Sequence, residues 1–209
     1  MQQSPQSQIR RNLAADDDFP RWIRFAAIAI AVGAAYVLAA RVSLLLQTKS
    51  GVAVFWPAAG ISAGALIALG RDARWPVVVG VMVADTAANL MSGRSTWSSV
   101  YFALCDTGEA LLVAWLIERY LGPHFRLGRL IQVLGFLAAA IAGATASGLP
   151  GAVGHRLLQD LNEPFWITWQ QWFASDVIGI ITVAPLIIGT VSAWRAPPAT
   201  AAAGAAARR

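Results

Sequence analysis

Charge, cysteine and histidine are all scarce in this 209-residue sequence, and each shortage closes a class of function. Charged residues make up 13% against 57% hydrophobic, with a mean hydropathy of +0.56. That is too little charge to cover a soluble domain of this length. The single cysteine, Cys105, lies inside an apolar run and offers neither a disulfide framework nor a CxxC metal site. The two histidines, His124 and His155, fall between apolar runs and are expected in loops, so no buried histidine pair is available to hold a haem. No phosphate-binding glycine loop, Ser/His/Asp constellation or zinc spacing occurs. The chain therefore reads as a non-enzyme, with no catalytic residue, no metal site and no cofactor expected.

What the sequence has in abundance is long apolar segments. They run over 23–46, 52–70, 75–92, 99–119, 130–150 and 166–190, and most reach the roughly 17–25 residues that cross a hydrocarbon core. The third is expected to be the shortest and most polar. Lys and Arg outnumber Asp and Glu by 16 to 11, but they sit between the apolar runs rather than in a stripe, so nucleic acid is not an expected partner and the lipid bilayer is. With a cytoplasmic N-terminus and six spans, twelve arginines (10, 11, 21, 24, 71, 74, 119, 126, 129, 195, 208, 209) gather on the cytoplasmic side. Only Lys49, Arg94 and Arg156 lie opposite, a strong positive-inside bias. The expected fold is an all-α polytopic transmembrane bundle of about six spans, multi-pass in a bacterial inner membrane, with both termini cytoplasmic.

Residues 1–20 are polar, carry Asp16-Asp17-Asp18, and are expected to form a disordered cytoplasmic tail. The acidic run argues against a twin-arginine signal at Arg10-Arg11, and the apolar stretch from Ile23 is too long for a cleaved signal peptide. The bundle is expected over 21–191, followed by an Ala/Pro-rich cytoplasmic tail over 192–209.

Five ionisable residues fall within the spans: Arg41, Asp85, Asp106, Glu109 and Asp176. Each costs about 2.5–3.5 kcal/mol at a helix centre, so they should face the bundle interior or water. Counting along each helix puts Glu109 near mid-membrane, Asp85, Asp106 and Asp176 slightly outward, and Arg41 further out. Helical spacing groups Asp106 with Glu109, Asp85 with Asn89, and Trp169 and Trp172 with Asp176. Together these suggest a polar, partly aromatic cavity toward the periplasm, with Trp166, Trp169 and Trp172 as a candidate wall. Four carboxylates against one arginine require either that some stay protonated or that the cavity holds a cation or cationic ligand. The plainer reading is that these groups tie helices together, with Arg41 paired to one carboxylate as a structural ion pair.

Weaker signals accompany these. Gly60-Ile61-Ser62-Ala63-Gly64 fits a small-xxx-small contact, read as internal packing in preference to a dimer seam. Trp56-Pro57 and Trp75-Pro76 are each read as an interfacial tryptophan beside a proline in a first helical turn.

An ordered set of motifs resembles the membrane-associated sensor domain of the MASE class, first type. It comprises Phe55-Trp56-Pro57-Ala58-Ala59-Gly60-Ile61 with Ala68-Leu69-Gly70, then Trp75-Pro76 and Gly80. Thr107-Gly108-Glu109-Ala110-Leu111-Leu112 follows with Glu118-Arg119, and last come Trp172-Phe173-Ala174-Ser175-Asp176, Gly179 and Ala184-Pro185-Leu186. The resemblance runs from about Val52 to Leu186. It implies an integral membrane input module of the kind that precedes histidine kinase, diguanylate cyclase or phosphodiesterase domains, and carries over Glu109 and Asp176 most directly. Asp106 stands where the family pattern often has Asn. The pattern also continues for about two further spans, whereas apolar character here ends near Val191 and no kinase or cyclase motif occurs. The chain is therefore expected to be a shortened input module or a stand-alone relative acting through a partner.

The leading expectation is a sensory module that detects a small ligand or ion in its outer half and signals to a cytoplasmic histidine kinase or diguanylate cyclase partner, with a homodimer as a further assembly. Candidate ligand-binding residues are Glu109, Asp176, Asp85, Arg41, Trp172, Asp106, Asn89 and Trp56. The alternatives are a small transporter using the intramembrane carboxylates and a membrane scaffold without ligand. Orientation has its own test: a reporter fused after Arg209 should be active only if it is a type that works in the cytoplasm, and a periplasm-dependent reporter there should stay silent.

Overall fold

The computed structural model describes residues 20–45, 53–123, 125–159 and 163–195. Among these the chain forms six α-helices: α1 (Arg21–Leu44), α2 (Pro57–Leu69), α3 (Arg74–Met91), α4 (Thr96–Leu121), α5 (Leu130–Leu158) and α6 (Phe165–Arg195), with a 3-10 turn at Arg71–Ala73. The expected tails fall outside the described residues, apart from Pro20 and residues 192–195, which continue α6.

Helices α1, α4, α5 and α6 are each long and apolar enough to cross a membrane by length and composition. The pattern of exposure fits lipid: large apolar side chains such as Ile30, Leu38 and Leu186 are about 70% exposed, while polar residues are buried. On α1 the buried residues Val32, Tyr36, Ala40 and Ser43 recur at helical spacing and form one stripe. That stripe faces the bundle, where α1 packs on α3 and α2. The neighbours then follow in order: α3 on α4, α4 on α5, α5 on α6 and α6 on α2.

The shortest helix is α2, not α3, which corrects the expectation from segment lengths. Its 13 residues rise only about 20 Å. The reason is local: Trp56 is non-helical (φ −118°, ψ 74°) and Pro57 takes the first helical position, where its missing N–H costs nothing. The non-helical stretch 53–56 extends the path by at most about 13 Å. Irregular backbone at membrane depth needs protein partners, and the Trp56 N–H donates to the Ser175 carbonyl on α6 at 3.3 Å. At its other end α2 stops at Gly70, whose φ of +80° favours glycine and turns the chain into α3.

Small residues let α2 sit in the middle. It packs against α6, α4, α1 and α3, and Gly60 and Gly64 both face α6. A Cβ on Gly60 would lie 2.2 Å from the Gly179 carbonyl oxygen, and one on Gly179 would lie 2.0 Å from that of Trp56. The small-xxx-small motif thus works inside the chain, by close backbone approach.

This contact generates a paired test. Gly179→Ala and Gly60→Ala should each lower stability by at least about 1–3 kcal/mol, the usual cost of overpacking. Gly108→Ala, where a Cβ meets nothing within 4 Å, should leave stability unchanged or raise it by up to about 1 kcal/mol through helix propensity. Thermal midpoints in detergent would show the contrast.

Candidate functional site

Five helices and two connections converge on one acidic cluster. Helix α4 supplies Asp106 and Glu109, α3 supplies Asp85 and Asn89, and α6 supplies Trp172, Ser175 and Asp176. Each of the four acids is at most 5% exposed. Isolated burial of even one carboxylate is expensive, so partners are required.

The partners are present and specific. Asp106 Oδ2 accepts from the Tyr36 hydroxyl at 3.0 Å and from the Trp56 indole N–H at 3.1 Å. Asn89 donates through Nδ2 to Asp85 Oδ1 at 2.9 Å, and its own Oδ1 accepts from Arg94 Nη1 at 2.6 Å. Ser147 of α5 donates to Glu109 Oε2 at 2.9 Å, and Ser175 to Asp176 Oδ1 at 3.3 Å.

Each acid thus has one oxygen that accepts from a protein donor, while its second oxygen (Asp85 Oδ2, Asp106 Oδ1, Glu109 Oε1, Asp176 Oδ2) has no hydrogen-bond donor. The acids lie against one another: Asp85 is within hydrogen-bonding reach of Asp106, and Glu109 of Asp176. Asp106, Glu109 and Asp176 each offer a carboxylate oxygen, and the three atoms lie within 4.8 Å of one another. Arg94, in the turn between α3 and α4, is the cation beside them. Burial draws its pKa below the ordinary arginine value while the charges of Asp85 and Asp106 oppose that shift. Its guanidinium also lies 4.9 Å from the Phe102 ring centroid.

A cavity of about 30 Å³ abuts the cluster, lined among others by Arg94, Asn89, Asp106, Asp176, Trp172 and His155. That is room for about two waters or an ion, since one water needs about 10–15 Å³. The cavity lies at the end of the bundle where α1, α3 and α5 finish and α4 and α6 begin. Trp172 fits there because Gly151 has no side chain; a Cβ would meet the indole at 2.7 Å.

Seven of the eight residues singled out from the sequence meet here. Arg41 does not: its Nη1 donates to the Ser92 hydroxyl at 3.0 Å, and Arg94 takes the place beside the acids that was expected for it. Trp56 is not interfacial but 7% exposed and bonded to Asp106, whereas Trp75 is 70% exposed. His155 is not in a loop: α5 continues past Pro150, and the imidazole is buried against Phe102 and Trp172 at 4.7 and 5.5 Å between centroids. His124 lies outside the described residues. Of the expected aromatic wall only Trp172 lines the cavity; Trp166 lies tilted against Trp169, which stacks on Phe173. Sequence reasoning missed Tyr36, Arg94, Ser147 and His155. Tyr36 was findable from its place between Val32 and Ala40 on one helical face, and Arg94 from the shortness of its turn.

At the opposite end, Glu118 of α4 accepts from Arg71 Nε and, at 2.9 Å, from Arg74 Nη2. These residues border a second cavity of about 310 Å³ that reaches Leu66 and Phe125.

The family model described as MASE1 matches residues 27–207. No curated protein and no solved structure matched the chain.

The two donors on Asp106 Oδ2 can be weighed separately. Tyr36→Phe and Trp56→Phe should each cost about 1–3 kcal/mol, the range for leaving a buried charged acceptor short of a donor. Because both reach one oxygen, the double variant should differ from the sum of the singles. Chemical denaturation in detergent micelles measures all three.

Proposed function

The chain belongs to the MASE1 family of membrane sensory domains, and from that premise we propose that the acidic cluster is its input and the Glu118 end its output. A small ligand or ion reaches the cluster in the outer half of the bundle. The opposite end, at Arg71, Arg74 and Glu118, faces the cytoplasm and biases a histidine kinase or cyclase output.

One observation carries this reading: a single helix serves both ends. Helix α4 places Asp106 and Glu109 in the cluster and Glu118 against Arg71 and Arg74. Asp106 and Glu118 are twelve residues apart, about 18 Å along one rigid element. A shift or rotation of α4 that relieves the cluster is therefore felt where Arg71 of the α2–α3 turn and Arg74 at the start of α3 are held.

The magnitudes are adequate. Leaving one buried charge uncompensated costs about 3–5 kcal/mol, and moving a two-state element from 1:99 to 99:1 takes about 5.5 kcal/mol. Occupancy of the cluster can supply most of that difference, provided the ligand binds the two packings unequally.

One feature favours the rival transporter reading. The non-helical lead-in to α2 at Trp56 lies beside the carboxylates, as irregular backbone does at the binding sites of secondary transporters. Transport predicts uptake of cation into proteoliposomes that contain this chain alone; the sensory reading predicts none.

The sensory reading is tested with the chain fused in frame ahead of a cytoplasmic cyclase reporter. Glu109→Gln and Asp176→Asn should remain folded and monodisperse yet lose the response, a drop of at least about five-fold, the lower end of typical coupling between sites. A scaffold would give the reverse: lower thermal midpoints with the reporter response intact.

A further inference from the structure

We propose that Asp106, Glu109 and Asp176 bind one hard divalent cation of calcium size, an inference that rests on reading the acidic cluster as the input and names its ligand. The cluster's internal geometry is the first ground. Three carboxylate oxygens from two helices lie within 4.8 Å of one another. Three atoms that close can share one bound cation, calcium at about 2.3–2.6 Å from each or magnesium at about 2.0–2.1 Å. Ligand number separates the two, since magnesium usually takes only one or two carboxylates. The smaller ion, which keeps its own waters and insists on an octahedron, suits three converging carboxylates less well.

The second ground is the hydrogen-bond account of the four acids. The fourth acid, Asp85, is 0% exposed and its Oδ2 has no hydrogen-bond partner. Asn89 holds its other oxygen, so the unpartnered one is left toward Asp106. Protein donors account for one oxygen on every acid and for none of the second oxygens. Protons shared within Asp85–Asp106 and within Glu109–Asp176 would serve these oxygens two at a time; the alternative is a cation at the point where Asp106, Glu109 and Asp176 meet. A cation there satisfies all three together.

Charge and ligand type agree. Four ionised carboxylates beside Arg94 leave three net negative charges; a divalent ion reduces that to one. Every offered ligand atom is a carboxylate oxygen, with no thiolate or imidazole among the three, which selects hard cations over zinc or copper. The adjoining cavity of about 30 Å³ touches both Asp106 and Asp176, and holds about two waters to complete the coordination.

The test uses the purified full chain in detergent, with the metal alone as probe. Terbium, a calcium-sized ion that emits when nearby tryptophan is excited, should light up through Trp56 and Trp172. Calcium should quench that emission by displacement at a stoichiometry of one per chain, and magnesium at the same concentration should not. Asp176→Asn and Glu109→Gln should weaken calcium binding by at least the ~10–100-fold that losing even an outer-shell partner costs; Asp72→Asn, on the exposed turn at the far end, should leave it unchanged. The terbium measurement needs no variant, so misfolding of either cannot hide the answer. Absence of displaceable terbium from the unmutated chain overturns the inference, as does calcium binding that survives undiminished in both folded variants. If the ion is absent while Glu109→Gln still silences the reporter, the cation falls and the sensory reading stands. If one ion binds and both variants signal normally, the site stands and its sensory role falls.

Discussion

Four carboxyl groups sharing one buried pocket are the constraint around which this bundle is arranged. Each would be unfavourable alone, and together they repel. The surrounding elements answer with donors from every side: a phenol from α1, an indole from the lead-in to α2, an amide from α3, and hydroxyls from α5 and α6. Five helices and the lead-in to α2 each place a side chain at the cluster. The acids thus act as a register mark, since sliding any helix by one residue would withdraw its donor. Buried polar groups add little net stability, but they discriminate strongly among alternative packings.

Close approach of backbones makes that convergence reachable. Donors and acids are short side chains, so the helices must come near. Between α2 and α6 they do so through glycine on both sides, and the same contact sets the Trp56 indole over Asp106. Packing and polar chemistry therefore constrain each other. A bulkier seam would open the pocket, and a pocket without acids would have little need of so tight a seam.

Much of this was legible beforehand, for reasons that can be named. Apolar runs and Gly/Pro punctuation located the helices, because lipid leaves backbone groups no partner but their own helix. Intramembrane acids announced a site, because lipid makes each one expensive. What was hidden depended on the third dimension. Arg41 and Arg94 look alike on paper, yet the arginine in the turn, not the one in the helix, reaches Asp85 and Asp106. His155 was hidden because hydrophobicity fades after Pro150 while the helix continues to Leu158. Trp56 had the composition of an interfacial anchor and the position of a ligand to a buried acid. The three converging oxygens come from helices about seventy residues apart in sequence, so no local spacing could reveal them.

The short helix α2 has a consequence for how the protein is made. Its non-helical lead-in leaves backbone groups that lipid cannot satisfy, and the acceptor for the Trp56 N–H is Ser175, more than a hundred residues downstream. When α2 leaves the ribosome, α6 has yet to be synthesised. The segment must wait at the insertion machinery or the membrane surface, and enters the bundle only when α6 arrives to receive it. Assembly thus closes from α6 back toward α2, and the acidic pocket forms as those two meet.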